Sequence, residues 1–440
     1  MRSLATLSCL LLSAGLALAG TERVAQVLPV SKVWAGHPVG FDLLTVGERQ
    51  FVAFYDDQRR MTIGARLLSE QEWRLERLPS TLGWDSHNYV TIAADDDGLL
   101  HVAGNMHVNP LLYFRSERPW DIGSLRRVSA MVGTLEDRVT YPHFFRGPAN
   151  ELIFTYRQGQ SGNGDQVLNV WQGLAKGWRR LLDKPLTNGE GRRNAYFQGP
   201  VSGPDGWWHL CWVWRESGDC ATNHDLTYAR SKDLVHWETS GGQPLALPIT
   251  LRSGEIVDPV PVRGGIINGN TRLGFDSAKR VVIAYHKYDA AGHTQIYNAR
   301  REAGGWRLYQ TSKFDRRWDF SGGGSIVFQV SVGGVEPADG GKLRQRWSFQ
   351  GVGGGTWLLD EATLQPVGSE ARRPSVLDPF GKPEGDFPEL GVRWLQRAGT
   401  QPGVRYALRW ETLAANRDRP RPAPWPGPSE LRLYVVRGEP

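Results

Sequence analysis

Short apolar runs, rather than the broad stripes of amphipathic helices, set the rhythm of this chain. A run of about five residues is followed by a polar loop and then by a second run ending on an aromatic and a basic residue. The first runs fall at residues 51–55, 99–103, 152–156, 207–212 and 281–285, and the second at 111–115, 226–230 and 295–300. Their length and their β-branched and aromatic content predict strands. The turn dipeptides Asp97-Gly98 and Asp205-Gly206 precede two of the first runs, as hairpins require. The runs recur at intervals of roughly 50–75 residues, the spacing of repeated sheet units that carry insertions.

Weaker strand signals continue at 344–349, 356–359, 392–395, 406–410 and 431–436. The proline-rich stretch 419–428 reads as an extended loop and not as a domain linker. The expected fold class is all-β, a single β-propeller over residues 21–440, with six to eight blades and seven the best fit. A ring of blades must close, and sharing one blade between the first and last strands does so, with 431–436 as the closing strand. A pair of β-sandwiches or a β-helix is the alternative. Composition supports the ring: 18 Trp and 52 Gly in 440 residues suit aromatic-faced sheets joined by tight turns.

The first twenty residues change the picture of where the protein works. Arg2 precedes an apolar run over 4–18, and Ala17-Leu18-Ala19 has the small-x-small form of a cleavage site. The run is too short for a membrane span, and nothing later is long enough. A secreted or periplasmic protein is expected, cleaved near Ala19 or Gly20, with 1–20 as signal peptide. Cys9 lies in mid-run and not at the cleavage edge, which argues against a lipoprotein. The formal net charge of +6 is compatible with a polyanionic partner. No clustered basic helix points to nucleic acid, and no glycine-rich loop with its lysine points to a nucleotide. A monomer is expected.

Polar and titratable side chains gather beside the apolar runs between residues 84 and 157. They read Trp84-Asp85-Ser86-His87-Asn88-Tyr89, Gly104-Asn105-Met106-His107, Thr140-Tyr141-Pro142-His143 and Tyr156-Arg157-Gln158-Gly159. Together with Tyr55-Asp56-Asp57-Gln58-Arg59-Arg60, Trp214-Arg215-Glu216, Asn223-His224-Asp225 and the degenerate Asp-box Ser231-Lys232-Asp233-Leu234-Val235-His236-Trp237, they resemble the BNR-repeat family that contains the ulvan lyases, seven-bladed propeller polysaccharide lyases. The likeness runs from about residue 51 to residue 300 and fades beyond.

That resemblance implies β-elimination on a uronate polymer. A base removes the C5 proton, an acid helps the C4 oxygen leave, and a cation offsets the carboxylate, without which the C5 proton is too weakly acidic. It implies His87, His107, Tyr141 and Arg157 as the catalytic set, with Arg157 neutralising the carboxylate, Tyr141 and His107 as acid and base in an order left open, and His87 as the second imidazole. No cofactor is needed for catalysis. Asn88, Arg59, Arg60, Tyr196 and Arg215 are candidates for holding the anionic polysaccharide, with Arg192 and Arg193 behind them; Arg59 and Arg60 cannot both face inward. Each catalytic candidate has a structural alternative: a turn contact for His87, packing beside Pro142 for Tyr141, an ion pair with Asp165 for Arg157.

His209 and Cys211 alternate on one predicted strand and so share a face, and Cys220 and His224 follow across a short loop. Two thiolates and two imidazoles suit a tetrahedral structural zinc, which the resemblance also implies; His286 is an alternative ligand, and a Cys211–Cys220 disulfide is the competing expectation in an exported chain. Two other functions compete with the lyase. A sialidase-type hydrolase would want an arginine triad and a Tyr–Glu pair. A non-catalytic carbohydrate-binding propeller would keep the blades and aromatic surfaces but would not need two His, a Tyr and an Arg together.

Overall fold

The computed structural model describes residues 22–438, so the proposed signal peptide and Cys9 lie outside the described residues. Among the described residues every regular element of appreciable length is a strand, and helix is confined to three single-turn 3-10 segments. Among the described residues the strands form seven antiparallel sheets.

Sheet 1 joins Asp42–Val46, Arg49–Tyr55, Arg60–Leu67 and Arg74–Thr81. Sheet 2 joins Val90–Ala94, Leu100–Gly104, Tyr113–Ser116 and Leu125–Val128. Sheet 3 is built on Val139–Arg146, Leu152–Gln160 and Asn163–Trp171, with His107–Asn109 added to its first strand. Sheet 4 is built on Asn194–Ser202, Trp208–Arg215 and Asn223–Ser231. Sheet 5 comprises Arg272–Phe275, Val281–Tyr288, Thr294–Glu302 and Gly305–Gln310. Sheet 6 comprises Val330–Ala338, Lys342–Phe349, Gly353–Asp360 and Pro366–Glu370. Sheet 7 takes Gly391–Ala398, Val404–Thr412 and Ser429–Gly438, and its fourth strand is the N-terminal Glu22–Val33.

The sheets follow one another in chain order, and the first strand of each lies innermost. Inner strands of sheets 1 and 2, 2 and 3, 4 and 5, and 5 and 6 touch, as do those of sheets 7 and 1. This is the ring of a β-propeller. It closes as expected, by pairing the two ends of the chain: Glu22 lies opposite Gly438 and Val33 opposite Ser429. The pairing gives the last sheet its fourth strand and ties the two chain ends into one sheet.

The apolar runs of the sequence become the second strands, and the runs ending on a basic residue become the third. These strands are buried on both faces, which is why they read as near-continuous apolar stretches. Gly98 and Gly206, with φ of 82° and 77°, make the turns joining the first and second strands of sheets 2 and 4. The degenerate Asp-box is the turn after the third strand of sheet 4. Asp233 Oδ1 accepts the amides of Val235 and His236, and Trp237 Nε1 donates to the Leu234 carbonyl. It is a structural clasp. No helix among the described residues is long and apolar enough to cross a membrane.

Candidate active site

Strand direction decides which side chains meet. The segments entering each inner strand and those leaving each second strand emerge on one face of the ring. On that face lie residues 84–89 before sheet 2, 105–109 after its second strand, the start of Val139–Arg146, the end of Leu152–Gln160 and the start of Asn194–Ser202. His87, His107, Tyr141, Arg157, Tyr196 and Arg215 therefore converge, although they come from three sheets and their connections.

Asp85 organises the imidazoles. Its Oδ2 lies 2.5 Å from His107 Nδ1 and its Oδ1 lies 2.7 Å from His87 Nδ1. The two rings stand 4.3 Å apart at 32°. Burial disfavours the Asp85 carboxylate, but the hydrogen bonds from the two imidazoles outweigh it and hold its pKa well below the usual carboxylate range. An ionised Asp85 makes both Nδ1 atoms donors and leaves both Nε2 atoms free to face a ligand.

His87 has a second acid nearby, Asp418 Oδ2 at 3.2 Å. Asp418 comes from the proline-rich connection in sheet 7 and also accepts the Ser86 and Ser325 amides and the Ser86 hydroxyl. Burial works against a charged His87 ring, yet its bonds to Asp418 and Asp85 prevail and push its pKa up to about 9. His87 is an imidazolium at neutral pH. Its folded pKa lies above the ordinary 6.5, so this pairing stabilises the fold fully below pH 6.5 and is lost as pH rises through about 9. Asp418→Asn is accordingly expected to lower Tm by several degrees at pH 6. By pH 10 the deficit should shrink, because a neutral His87 leaves Asp85 and Asp418 as two facing carboxylates; thermal denaturation at both pH values checks this.

Tyr141 sits 5.9 Å from His87, ring to ring, and 6.0 Å from Tyr196. It has φ of 59°, and the register of its strand shifts between Thr140 and His143. A non-glycine residue in this left-handed region costs about 1–3 kcal/mol. The bulge turns Tyr141 out of the ladder and into the centre of the ring. Tyr141 and Tyr196 form part of the wall of a cavity of about 460 Å³ that also touches Tyr89, Gln198 and Gly269.

Arg157 lies beneath the two phenols and is 1% exposed. Its guanidinium carbon is 5.0 Å from the Tyr141 ring centre, Nη1 donates to Tyr196 Oη at 3.2 Å, and Nη2 donates to Thr140 Oγ1 at 3.0 Å. Nε is buried without a partner. Asp165, the structural alternative, instead accepts from Asn188 and Gly189. Gly164 makes room for the arginine, since a Cβ there would stand 3.0 Å from Arg157 Cδ and 2.7 Å from Asn194 Oδ1. Arg215 flanks Tyr196 from the other side, 5.5 Å from its ring, and is held by the Ser217 and Gly218 carbonyls. Burial alone would raise the Tyr196 phenol, but Arg157 and Arg215 more than offset it and bring it below its ordinary value. Tyr141 goes the other way: burial, reinforced by the Tyr196 hydroxyl, pushes it well above. The two tyrosines are thus set apart as a readier base and a retained acid.

Other sequence expectations fall elsewhere. Arg60 binds Asp56 through Nε at 3.0 Å, alongside Arg77, and pins the sheet 1 hairpin. Arg59 is caged by Trp34, Trp84 and Trp425, with ring centres 4.0, 4.9 and 5.5 Å from its guanidinium carbon. Arg193 pairs with Glu190 and Glu216. The Asn88 carbonyl accepts from Tyr55 Oη, and its side-chain Oδ1 is buried without a partner.

The zinc ligands do not assemble. His209 and Cys211 share a face of Trp208–Arg215, but His224 lies opposite Trp214, five residues beyond His209 and about 16 Å along the strand. His209 bonds Tyr228 and Asp205, and His224 bonds Glu216 and Asp225. Cys211 packs between sheets 4 and 5, while Cys220 packs against Ile267 and Trp318. Both thiols are free, so the disulfide is not formed either. His286 is buried against Trp318 and Phe320. Among the described residues the one group of three metal-ligating side chains that converges is Asp85, His87 and His107, and their facing atoms are engaged with one another.

A closed ring of sheets with a phenol-lined hollow on one face, two arginines packed against its phenols, defines a β-propeller. The chain belongs to the BNR repeat-containing family, whose model matches residues 49–314. Its fold is that of the polysaccharide lyase Uly1, 13% identical with a TM-score of 0.62 over 94% of this chain and 99% of that one. A PL25 ulvan lyase is also 13% identical, with a TM-score of 0.59 over 93% and 95% of the two chains. A PL25 ulvan lyase bound to -[GlcA(1-4)Rha3S]- gives 0.58. No curated protein matches in sequence.

Proposed function

We propose that this protein is an exported polysaccharide lyase that cleaves a uronate-containing anionic polymer, ulvan-like in character, by β-elimination. The observation that carries this reading is a buried guanidinium without a carboxylate partner, roofed by two phenols and flanked by two imidazoles on a single carboxylate. The fold shared with lyases, one of them holding a sulfated glucuronate–rhamnose unit, supports it.

The chemistry follows from the charge states. The His87 imidazolium, with Arg157 and Arg215 behind the phenols, supplies the positive potential that a uronate carboxylate needs before its C5 proton can leave. His107, oriented through Nδ1 by Asp85, offers Nε2 to that proton. The C5 electron pair forms the C4–C5 double bond, the C4–O bond breaks, and Tyr141 gives its proton to the departing oxygen. Tyr196 is the second candidate for the base, favoured by its lowered pKa. Tyr196→Phe separates the two: lost turnover assigns the base to Tyr196, and near-native turnover leaves it with His107.

The reading is tested with a panel of ulvan, glycosaminoglycans, alginate and pectin. New ultraviolet absorbance from an unsaturated uronate is expected with at least one of them. Reducing ends released without that absorbance would mean hydrolysis, and binding without product would mean a lectin-like propeller.

A further inference from the structure

The seam between sheets 6 and 7 differs from the others. It is bridged by residues 371–380, of which Val376, Leu377 and Phe380 pack on Ala407 and Tyr434 of sheet 7. Beside this bridge lies a groove of about 1190 Å³. That exceeds the ~300–1,000 Å³ usual for a small-molecule pocket and suits several linked units.

Its lining is cationic. Arg272, Arg346 and Arg373 contribute guanidinium groups that make no ion pair among the described residues. Two further arginines at its margin are already engaged, Arg372 with Asp378 and Arg405 with Glu22. Glu370 is the one acid in the lining, and Arg344 neutralises it at 3.0 Å. Trp347 and Trp357 stack 4.4 Å apart at 22°, but they pack with Phe314 against Ala284 and Ile296 of sheet 5, on the face of sheet 6 opposite Arg346. Arginines take sulfate or carboxylate groups bidentately.

Arg272 connects this groove to the site. Its Nη1 donates to Gln198 Oε1 at 3.3 Å and to the Gly269 carbonyl at 2.9 Å, and both residues line the cavity bounded by Tyr141 and Tyr196. We infer that the groove between sheets 6 and 7 is a second binding track for an anionic polysaccharide, which holds a distant part of the polymer whose reactive unit occupies the catalytic hollow. The identity of the polymer rests on the proposed function; the existence of the track does not.

The track is tested by binding in a Tyr141→Phe background, where slow turnover cannot deplete the ligand. Affinity electrophoresis uses dextran sulfate, polygalacturonate and neutral dextran as probes. Both anionic probes, but not neutral dextran, are expected to retard the protein. Arg346→Ala/Arg373→Ala should weaken that binding at least tenfold and flatten its salt dependence. Arg126→Ala/Arg127→Ala, on the outer strand of sheet 2, removes equal charge and should have little effect. An equal loss from both arginine pairs would reduce the effect to net charge and overturn the track. So would unaltered binding in the groove variant, or displacement of polygalacturonate by oligothymidylate at equal concentration. A protein that binds through the groove yet yields no unsaturated product from any polymer would refute the lyase reading alone.

Discussion

Replacing Arg157 by alanine is expected to lower kcat/KM by roughly 10²–10³-fold, the usual cost of removing a preorganised electrostatic contact from a buried site. Two consequences of the substitution act together. One of the two positive charges that offset burial at Tyr196 disappears, so that phenol rises, with Arg215 alone left to oppose the burial. The bonds from Nη1 to Tyr196 and from Nη2 to Thr140 also go, and Thr140 Oγ1 is the acceptor for the Val108 amide beside His107. The fold should survive. Arg157 has no carboxylate partner to strand, and removing an unpaired buried cation relieves a desolvation cost that offsets part of the cavity left behind. Tm is expected to change by only a few degrees. Initial rates of unsaturated-uronate formation and thermal denaturation check the two halves. Native-like turnover with an intact fold would remove Arg157 from the mechanism. Arg157→Lys keeps the charge without the fork that reaches both Tyr196 and Thr140, and should fall between.

The second strands of sheets 1 to 5 and the third strands of sheets 2, 4 and 5 were legible in the sequence because they are buried on both faces. Leu152–Gln160 and Val281–Tyr288 read as nearly unbroken apolar runs. The inner strands were not. Val139–Arg146 and Asn194–Ser202 carry polar side chains toward the ring centre and shift register to do so, which erases a clean alternation. The catalytic candidates stood out because His, Tyr and Arg at strand ends have no packing purpose. Asp85 lay inside the same cluster, but its bridge to His107 spans 22 residues and leaves no local pattern. Asp418 was invisible for a stronger reason: it reaches Ser86 from 332 positions away, on a loop whose composition suggested only an extended segment. The same distance misled the reading of Arg59, whose aromatic cage draws on Trp34 and Trp425 from opposite ends of the chain. The zinc expectation failed because spacing alone cannot say that the strand pairing sets His224 opposite Trp214, far from His209.

Asp85→Asn is the sharper probe of how the imidazoles work. The carboxylate accepts from both Nδ1 atoms, one on each oxygen. An amide has a single carbonyl, so its NH₂ must face one of the rings. Two donors cannot share that contact, and the affected ring is driven to the tautomer with Nδ1 bare and Nε2 protonated. If the ring is His107, the nitrogen assigned to take the C5 proton is already occupied. Turnover is expected to fall by about 10²–10⁴-fold, the range for losing a positioned general base or the carboxylate that orients it. The pH profile gives a signature that a merely structural defect would not. His87 is charged up to about pH 9 because Asp418 and Asp85 both hold its proton. Activity that needs the imidazolium is retained below that value and lost as pH rises through it. Without the Asp85 charge the His87 pKa falls, so the alkaline limb of the residual activity should move to lower pH, and the imidazole resonances of His87 should titrate lower by NMR. A variant whose rate falls while both the alkaline limb and the His87 titration stay in place would show that Asp85 shapes the loop and not the proton chemistry.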